Sequence, residues 1–399
     1  MGHNSFDIDW VREQFPALKN NMVFMDNAGG SQTLKSVMNR ITEYLTNYDV
    51  QLGATYHTSQ VASDKLDESK KAIQNWINTK YRDEVMIGSS TTMLLRILSI
   101  CISRNWFDGD EVIITNSDHE ANMAAWRDLE SLGIKVKTWK LNKDTYQLDL
   151  NDLDVLMTDK TKLVAVTHTS NILGTINPVK DIAKLVHKNK ALICVDGVAF
   201  APHRLIDVQD LDVDFYVFST YKTFGPHQAV MYGKLSLWSS MEGINHAFIE
   251  TVPYKFQPGN VNYELSYSLA AIPQYIAKIG GNNLAKGFEK IADYEQEMAS
   301  RLLDYLKSNP KITIIGETSA DKELRVSTLS FIHSEIDSKQ IVEAVDAHDI
   351  GIRFGDFYAV ELIDDLGLRQ YNGVVRVSLV HYNSFDEVDK LIEVLKRIL

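Results

Sequence analysis

The chain has 399 residues, enough for one large domain and a smaller one. Hydrophobic residues make up 45%, ample for a sizeable core, and with 8 prolines and no low-complexity stretch little of it reads as disordered. A net charge of −12, with acids spread along the chain, argues against nucleic acid or an anionic membrane as partner, and the two cysteines, Cys101 and Cys194, have neither zinc nor disulfide spacing, so no metal is expected.

The N-terminus, MGHNSFDIDW, has no basic n-region and no apolar h-region, so it does not read as a secretory signal. Phe6 stands where a myristoylation signal needs Ser or Thr. The apolar run Met93–Ile102 is broken by Arg96 and is too short to span a bilayer. A reducing, cytoplasmic setting is expected. Ser90, Thr91 and Thr92 open that apolar run, which predicts a helix. DEVIIT (110–115) predicts a strand, and a helix begins near His119. Further strands are predicted over 135–141 and 162–170. Pro178 then starts a helix through VKDIAKLVHKNK, at a position where its missing N–H costs nothing. Strands follow over 191–197, 214–219 and 229–234.

Continuous apolar runs separated by helices predict a mainly parallel sheet covered on both faces. The stretch 269–306 reads as mostly helical and joins this part to the last third. There, strands over 311–317, 327–333 and 374–382 and a helix over 337–349 predict a smaller α+β domain. A closing helix follows Ser384, a plausible cap with Glu387 three residues on. The expected division is a large domain over 20–288 and a small one made of 1–19 and 289–399.

In an open α/β sheet, ligands sit beyond the carboxyl ends of the strands. Here those ends are polar: Asn116 to His119, Thr167 to Asn171, Asp196 and Gly197, and Ser219 to Lys222. Hydroxyls, amides, a carboxylate, an imidazole and an amine thus reach one rim, a set that suits a phosphorylated, nitrogen-bearing aromatic cofactor. Asp196 would keep a ring nitrogen protonated. Lys222 would form a Schiff base and later move protons. Ser90, Thr91 and Thr92 at a helix start, with Ser219, would bind phosphate. His119 would stack on the ring. Taken singly, each has a blander use: Asp196 as a turn residue, Lys222 as a solvated lysine, the Ser-Thr run and His119 as helix caps. Their joint occurrence on successive strands favours the functional reading. No G-x-G-x-x-G follows a strand, so dinucleotide binding fits poorly.

The run from Val164 through VTHTSNILGTINPVKDIAKLVHKNKALICVDGVAFAPH, then DVDFYVFSTYKTFGP, closely resembles class V aminotransferases of the cysteine desulfurase type. FMDNAGG, SDHEANMAAW and VVRVSLVHYNSFDEVDKL extend the resemblance over nearly the whole chain. It implies a fold-type I enzyme with a seven-stranded sheet, pyridoxal 5′-phosphate as cofactor, a small amino acid as substrate and a homodimer as the working form. It implies Lys222 as the Schiff-base lysine, Asp196 at the pyridine nitrogen and His119 over the ring. Asn171 would contact the phenolic oxygen, with Thr91 and Ser219 at the phosphate. Arg376 would pair with the substrate carboxylate, which a guanidinium fork binds bidentately, with Arg353 as a second candidate. Gly259–Asn260, where the family has Gly-Thr, would reach the partner's phosphate.

Departures from the family pattern bear on the reaction. Desulfurases carry a loop cysteine after Arg-x-Gly; here RFGDFYAVEL puts Tyr358 at that position. Tyr221 replaces the family's His before the lysine, and Ala199 a Gln near the pyridine carboxylate. Cys101 and Cys194 lie in apolar runs and read as inert core residues. Carbon–sulfur cleavage without a persulfide is therefore expected first, then transamination, then epimerisation with Tyr358 or Tyr221 as proton donor. A non-catalytic scaffold would have been free to lose Lys222. His57 aligns too loosely to assign.

Overall fold

A computed structural model describes residues 6–399; the reading of the first five residues lies outside it. The principal sheet has seven strands: β1 (Val85–Gly88), β2 (Glu111–Thr115), β3 (Lys135–Trp139), β4 (Thr161–Thr167), β5 (Leu192–Asp196), β6 (Phe215–Ser219) and β7 (Ala229–Gly233). Their spatial order is β1-β7-β6-β5-β4-β2-β3. Strands β2 to β6 pair in parallel, and only β7 runs against its neighbours β6 and β1.

The apolar runs explain this layering. Along β4, Val164 and Val166 join one core while Leu163 and Ala165 join the other. In β6, Tyr216 and Phe218 face the first core and Phe215 and Val217 the second. Alternate side chains point to opposite faces, so a strand buried on both must be apolar throughout. Each such Val, Leu or Phe side chain contributes about 1.5–3 kcal/mol on burial. Helices α1 (Thr91–Ile102) and α2 (Ala121–Arg127) cover one face, and α3 (Val179–Lys188) the other.

The C-terminal domain has its own antiparallel sheet of β8 (Ile312–Ile315), β9 (Thr328–His333), β10 (Arg353–Gly355) and β11 (Val374–Ser378), in the order β10-β11-β9-β8. Helices α4 (Leu284–Ser308), α5 (Ser338–Asp346) and α6 (Phe385–Ile398) pack on it through Leu302, Leu306, Ile341, Val345, Leu391 and Leu395. The cap at α6 forms as expected. Ser384 Oγ accepts from Glu387 N at 3.2 Å, and the Glu387 carboxylate accepts from Ser384 N at 3.1 Å. Residue 288 falls inside α4, whose Phe288 and Ile291 pack with the large sheet and whose Met298 to Leu306 stretch packs with the small one. Val23 and Met25 also belong to the small core, and Val23–Phe24 pairs with Ile350–Gly351.

The loop after β4 is tied to β9. Gly174 has φ +69°, and a Cβ there would lie 2.2 Å from the Thr328 carbonyl oxygen. Its N–H donates to Ser170 O at 3.0 Å, and its carbonyl accepts from Val326 N at 2.9 Å. Gly174→Ala combines an unfavourable backbone region with a steric overlap. It is expected to cost roughly 2–4 kcal/mol. The check is a urea titration, in which the midpoint falls while the slope is unchanged.

Candidate active site

The carboxyl ends of β2, β4, β5 and β6 and the N-terminus of α1 converge on a cavity of ≈ 510 Å³. Ser90, Thr91, Thr92, His119, Asn171, Asp196, Ser219, Tyr221 and Lys222 all line it. Thr167, Thr169, Ala121, Val198 and Ala199 complete the wall.

Ser90 does serve as a helix cap, accepting from Met93 N at 3.1 Å. That leaves the first amides of a 12-residue helix beside the Thr91 and Ser219 hydroxyls, which share a hydrogen bond of 2.8 Å. An anion is favoured at such a terminus. Asp196 ends β5, and its Oδ1 accepts from Val198 N at 2.8 Å. Burial pushes its carboxyl up to about 6, while that backbone bond and the Lys222 cation act against the rise.

Lys222 lies in a short 3₁₀ turn directly after β6 and is buried. Burial brings its amine down to about 8, helped by the Arg376 charge and opposed by Asp196 and Asp26. His119 is held down to about 4 by burial, then by the charges of Lys222 and Arg376. Its Nδ1 accepts from Ala121 N at 3.1 Å, so it caps the start of α2 while its ring lines the cavity.

Arg376 lies on β11 and is 2% exposed. Its Nη2 donates to Asp26 Oδ1 at 2.7 Å and its Nη1 to Asn171 O at 3.2 Å. The guanidinium carbon sits 3.7 Å from the centre of the Phe357 ring. Asn171 Nδ2 donates to Phe357 O at 3.0 Å, fixing that amide. Arg353, 59% exposed, approaches Asp26 only at 3.8 Å. Tyr358, 67% exposed, has its ring centre 5.3 Å from that of His119. Phe357 and Tyr358 both have positive φ, +52° and +59°, and the Tyr358 carbonyl accepts from Glu120 N at 2.7 Å. Such a conformation in two large side chains marks a loop held in place by its surroundings.

Asn260 is not brought to this cavity. It borders a separate one of ≈ 970 Å³ with Ser89, Met93 and His227, and its amide donates to Gln51 at 3.2 Å. His57 is exposed at the start of the helix His57–Ile77. Tyr221 stacks on His227 at 4.8 Å and 6°. Both cysteines are free and buried, Cys101 in α1 and Cys194 in β5. Burial pushes the Cys101 thiol up to about 11 and Cys194 well above its ordinary value.

Three residues here were given no role from the sequence, although Asp118 and Thr169 lie in the polar strand ends named there. Asp26 comes from a turn some 350 residues from Arg376 in the chain. Asp118 is fully buried and accepts from Asn122 Nδ2 at 2.7 Å, from Thr167 N at 3.1 Å and from the Thr115 hydroxyl. Thr169 lines the cavity with its hydroxyl unpartnered, and the Asn171 Oδ1 is likewise buried without a partner. Buried polar atoms are normally hydrogen-bonded, so unpartnered oxygens facing a cavity point to a ligand that satisfies them. These groups fit a phosphorylated pyridine with an amine-reactive aldehyde: amides and hydroxyls for the phosphate, Asp196 for a ring nitrogen, Lys222 for the aldehyde. Among the described residues, no group of His, Cys, Asp and Glu is arranged to hold a metal ion, and no helix is long and apolar enough to cross a membrane.

Comparison with known proteins agrees. The family model described as aminotransferase class-V matches residues 23–391. The Aminotransferase-like protein FGM3 of Gibberella zeae is 44% identical, covering 100% of both chains. A probable cysteine desulfurase of Staphylococcus epidermidis is 31% identical, covering 100% of this chain and 98% of its own. The apo structure of a cysteine desulfurase from Thermococcus onnurineus NA1 superposes with a TM-score of 0.90 at 26% identity, over 100% of this chain and 99% of that one. With its fold-type I architecture and this cavity, the chain belongs to the class V aminotransferase family and is a pyridoxal-phosphate-dependent enzyme.

Proposed function

We propose that this enzyme cleaves the Cβ–sulfur bond of a cysteine-like amino acid by elimination, without a persulfide thiol of its own. One observation carries the reading: the cavity holds a buried amine, a carboxylate and a nearby guanidinium, while both cysteines are 0% exposed in the cores. Tyr358 stands in the loop where a sulfur-accepting thiol would be needed.

In this reading Lys222 would hold the cofactor through its buried amine. Bound pyridoxal phosphate supplies an electron sink for the charge left at Cα. Asp196 would keep the ring nitrogen protonated, and His119, which lines the same cavity, would pack against the ring. Asn171, whose Oδ1 is left without a partner, would lie at the phenolic oxygen, while Thr91 and Ser219, with the α1 amides, Ser90 and Thr92, would hold the phosphate. Arg376 would hold the substrate carboxylate, with Arg353 and Tyr358 as further candidates for contact with the substrate. The Lys222 amine then takes the α-proton, and the thiol leaves with the Cβ–S bonding pair and a proton. Water completes the balance: one amino acid and one water give a thiol, pyruvate and ammonium.

A homodimer belongs to the proposal: Asn260 lies outside its own chain's cavity, which suits a loop that completes the partner's site. Two free buried thiols suit a cytoplasmic setting. Transamination is the second reading, favoured by the name of the 44% identical relative.

The test is product analysis with L-cysteine and several S-conjugates, with and without a 2-oxo acid. Pyruvate and ammonia without an acceptor support elimination. Alanine plus sulfane sulfur would overturn the reading from Tyr358. No product until a 2-oxo acid is added would establish transamination instead.

A further inference from the structure

Asp26 joins two guanidiniums. Its Oδ1 accepts from buried Arg376 at 2.7 Å, and its Oδ2 lies 3.8 Å from exposed Arg353. Arg376 has donors to spare: beyond Asp26 and the Asn171 carbonyl, its Nε is buried with no partner. Two cations and one carboxylate leave a single positive charge, which one further carboxylate neutralises.

The Asp26 carboxylate is confined. Its backbone bridges to Ser378, two residues beyond Arg376 on β11. Ser378 N donates to Met25 O at 2.7 Å, and Ser378 Oγ accepts from Ala28 N at 2.9 Å. The turn closes around the acid through Gly29, where an added Cβ would lie 2.9 Å from Asp26 Oδ2.

We propose that Asp26 is a specificity-determining residue that matches the site to amino acids with one carboxylate and an uncharged side chain. This rests on Arg376 as the substrate-carboxylate site. With Arg376 taken up by the substrate carboxylate and the Lys222 amine, which Asp26 also attracts, committed to the cofactor, a second anionic group on the substrate would meet the Asp26 charge with only exposed Arg353 beside it. Near a protein surface, unit charges about 4 Å apart still interact strongly, although salt weakens them.

The experiment is calorimetric titration of the holoenzyme at low ionic strength with two unreactive probes, propionate and succinate. The wild type is expected to bind propionate at least about tenfold tighter than succinate. Asp26→Asn, equal in shape but neutral, is expected to narrow that ratio about tenfold. Arg353→Gln, at an exposed position that folding tolerates, is expected to widen it. An unchanged ratio in both variants overturns the proposal while leaving Arg376 in place. Wild-type propionate binding by Arg376→Ala overturns the carboxylate site itself, and the role of Asp26 with it. Neither result depends on whether a C–S bond is cleaved.

Discussion

Lys222→Ala is expected to lower turnover by about 10³-fold or more and to abolish the borohydride-trapped cofactor adduct. In the function proposed above, two roles fall on this one amine: covalent attachment and movement of the α-proton. Positioned proton transfer alone contributes about 10²–10⁴-fold. Loss of covalent catalysis adds to it. The chain's fold around the amine prepares it for both. Burial and the Arg376 charge bring Lys222 down to about 8, against the pull of Asp196 and Asp26. The neutral amine is the nucleophile, so lowering its pKa enlarges the reactive fraction at neutral pH. Cofactor capture by the stripped wild-type protein should rise about tenfold per pH unit below about pH 8 and level off above it. Stopped-flow absorbance measures this directly. An adduct that persists in Lys222→Ala, or capture that is flat between pH 6 and 8, would remove Lys222 from this role.

The cavity was largely legible because its groups follow apolar runs. A buried parallel strand is easy to recognise, and the polar residues immediately after it must lie at the ligand-binding rim. That logic found Asn171, Asp196, Ser219 and Lys222 on three strands, and the start of α1. It could not find Asp26, because the contact with Arg376 depends on how the small domain folds back on the chain's beginning. It placed Thr169 at the rim but gave it no role, since what marks it out is an unpartnered oxygen. Among elements, β1 was missed because VMIG has four residues and no alternation. The helix His57–Ile77 was missed because its buried stripe includes Ser59 and Ser69, which hide the apolar period. Several predicted strands were too long, those over 162–170 and 374–382 most of all. β4 ends at Thr167 and β11 at Ser378, where the chain turns to serve the site rather than the sheet.

The cost of preparing this site should be visible at Asp196. Asp196→Asn keeps the shape and the acceptor for Val198 N but removes the charge that would hold a protonated ring nitrogen. Loss of an electrostatic group that acts on developing charge typically costs about 10²–10³-fold in kcat. The same substitution should make the cofactor-stripped protein more stable. Burial raises the Asp196 carboxyl from its ordinary 3.8 to about 6. A rise of that size corresponds to roughly 3 kcal/mol held against the charged form. The sign follows from proton binding. Below about pH 4 the acid is protonated in both the folded and unfolded chain, and the variant gains nothing. Through the interval up to about pH 6 the unfolded chain ionises first, which draws the wild type toward unfolding. Above pH 6 the variant should hold its full advantage, at most about 3 kcal/mol. Thermal unfolding of both stripped proteins at pH 4 and pH 7.5 tests it. A less active variant that is also less stable at pH 7.5 would mean that Asp196 supports the fold rather than the chemistry.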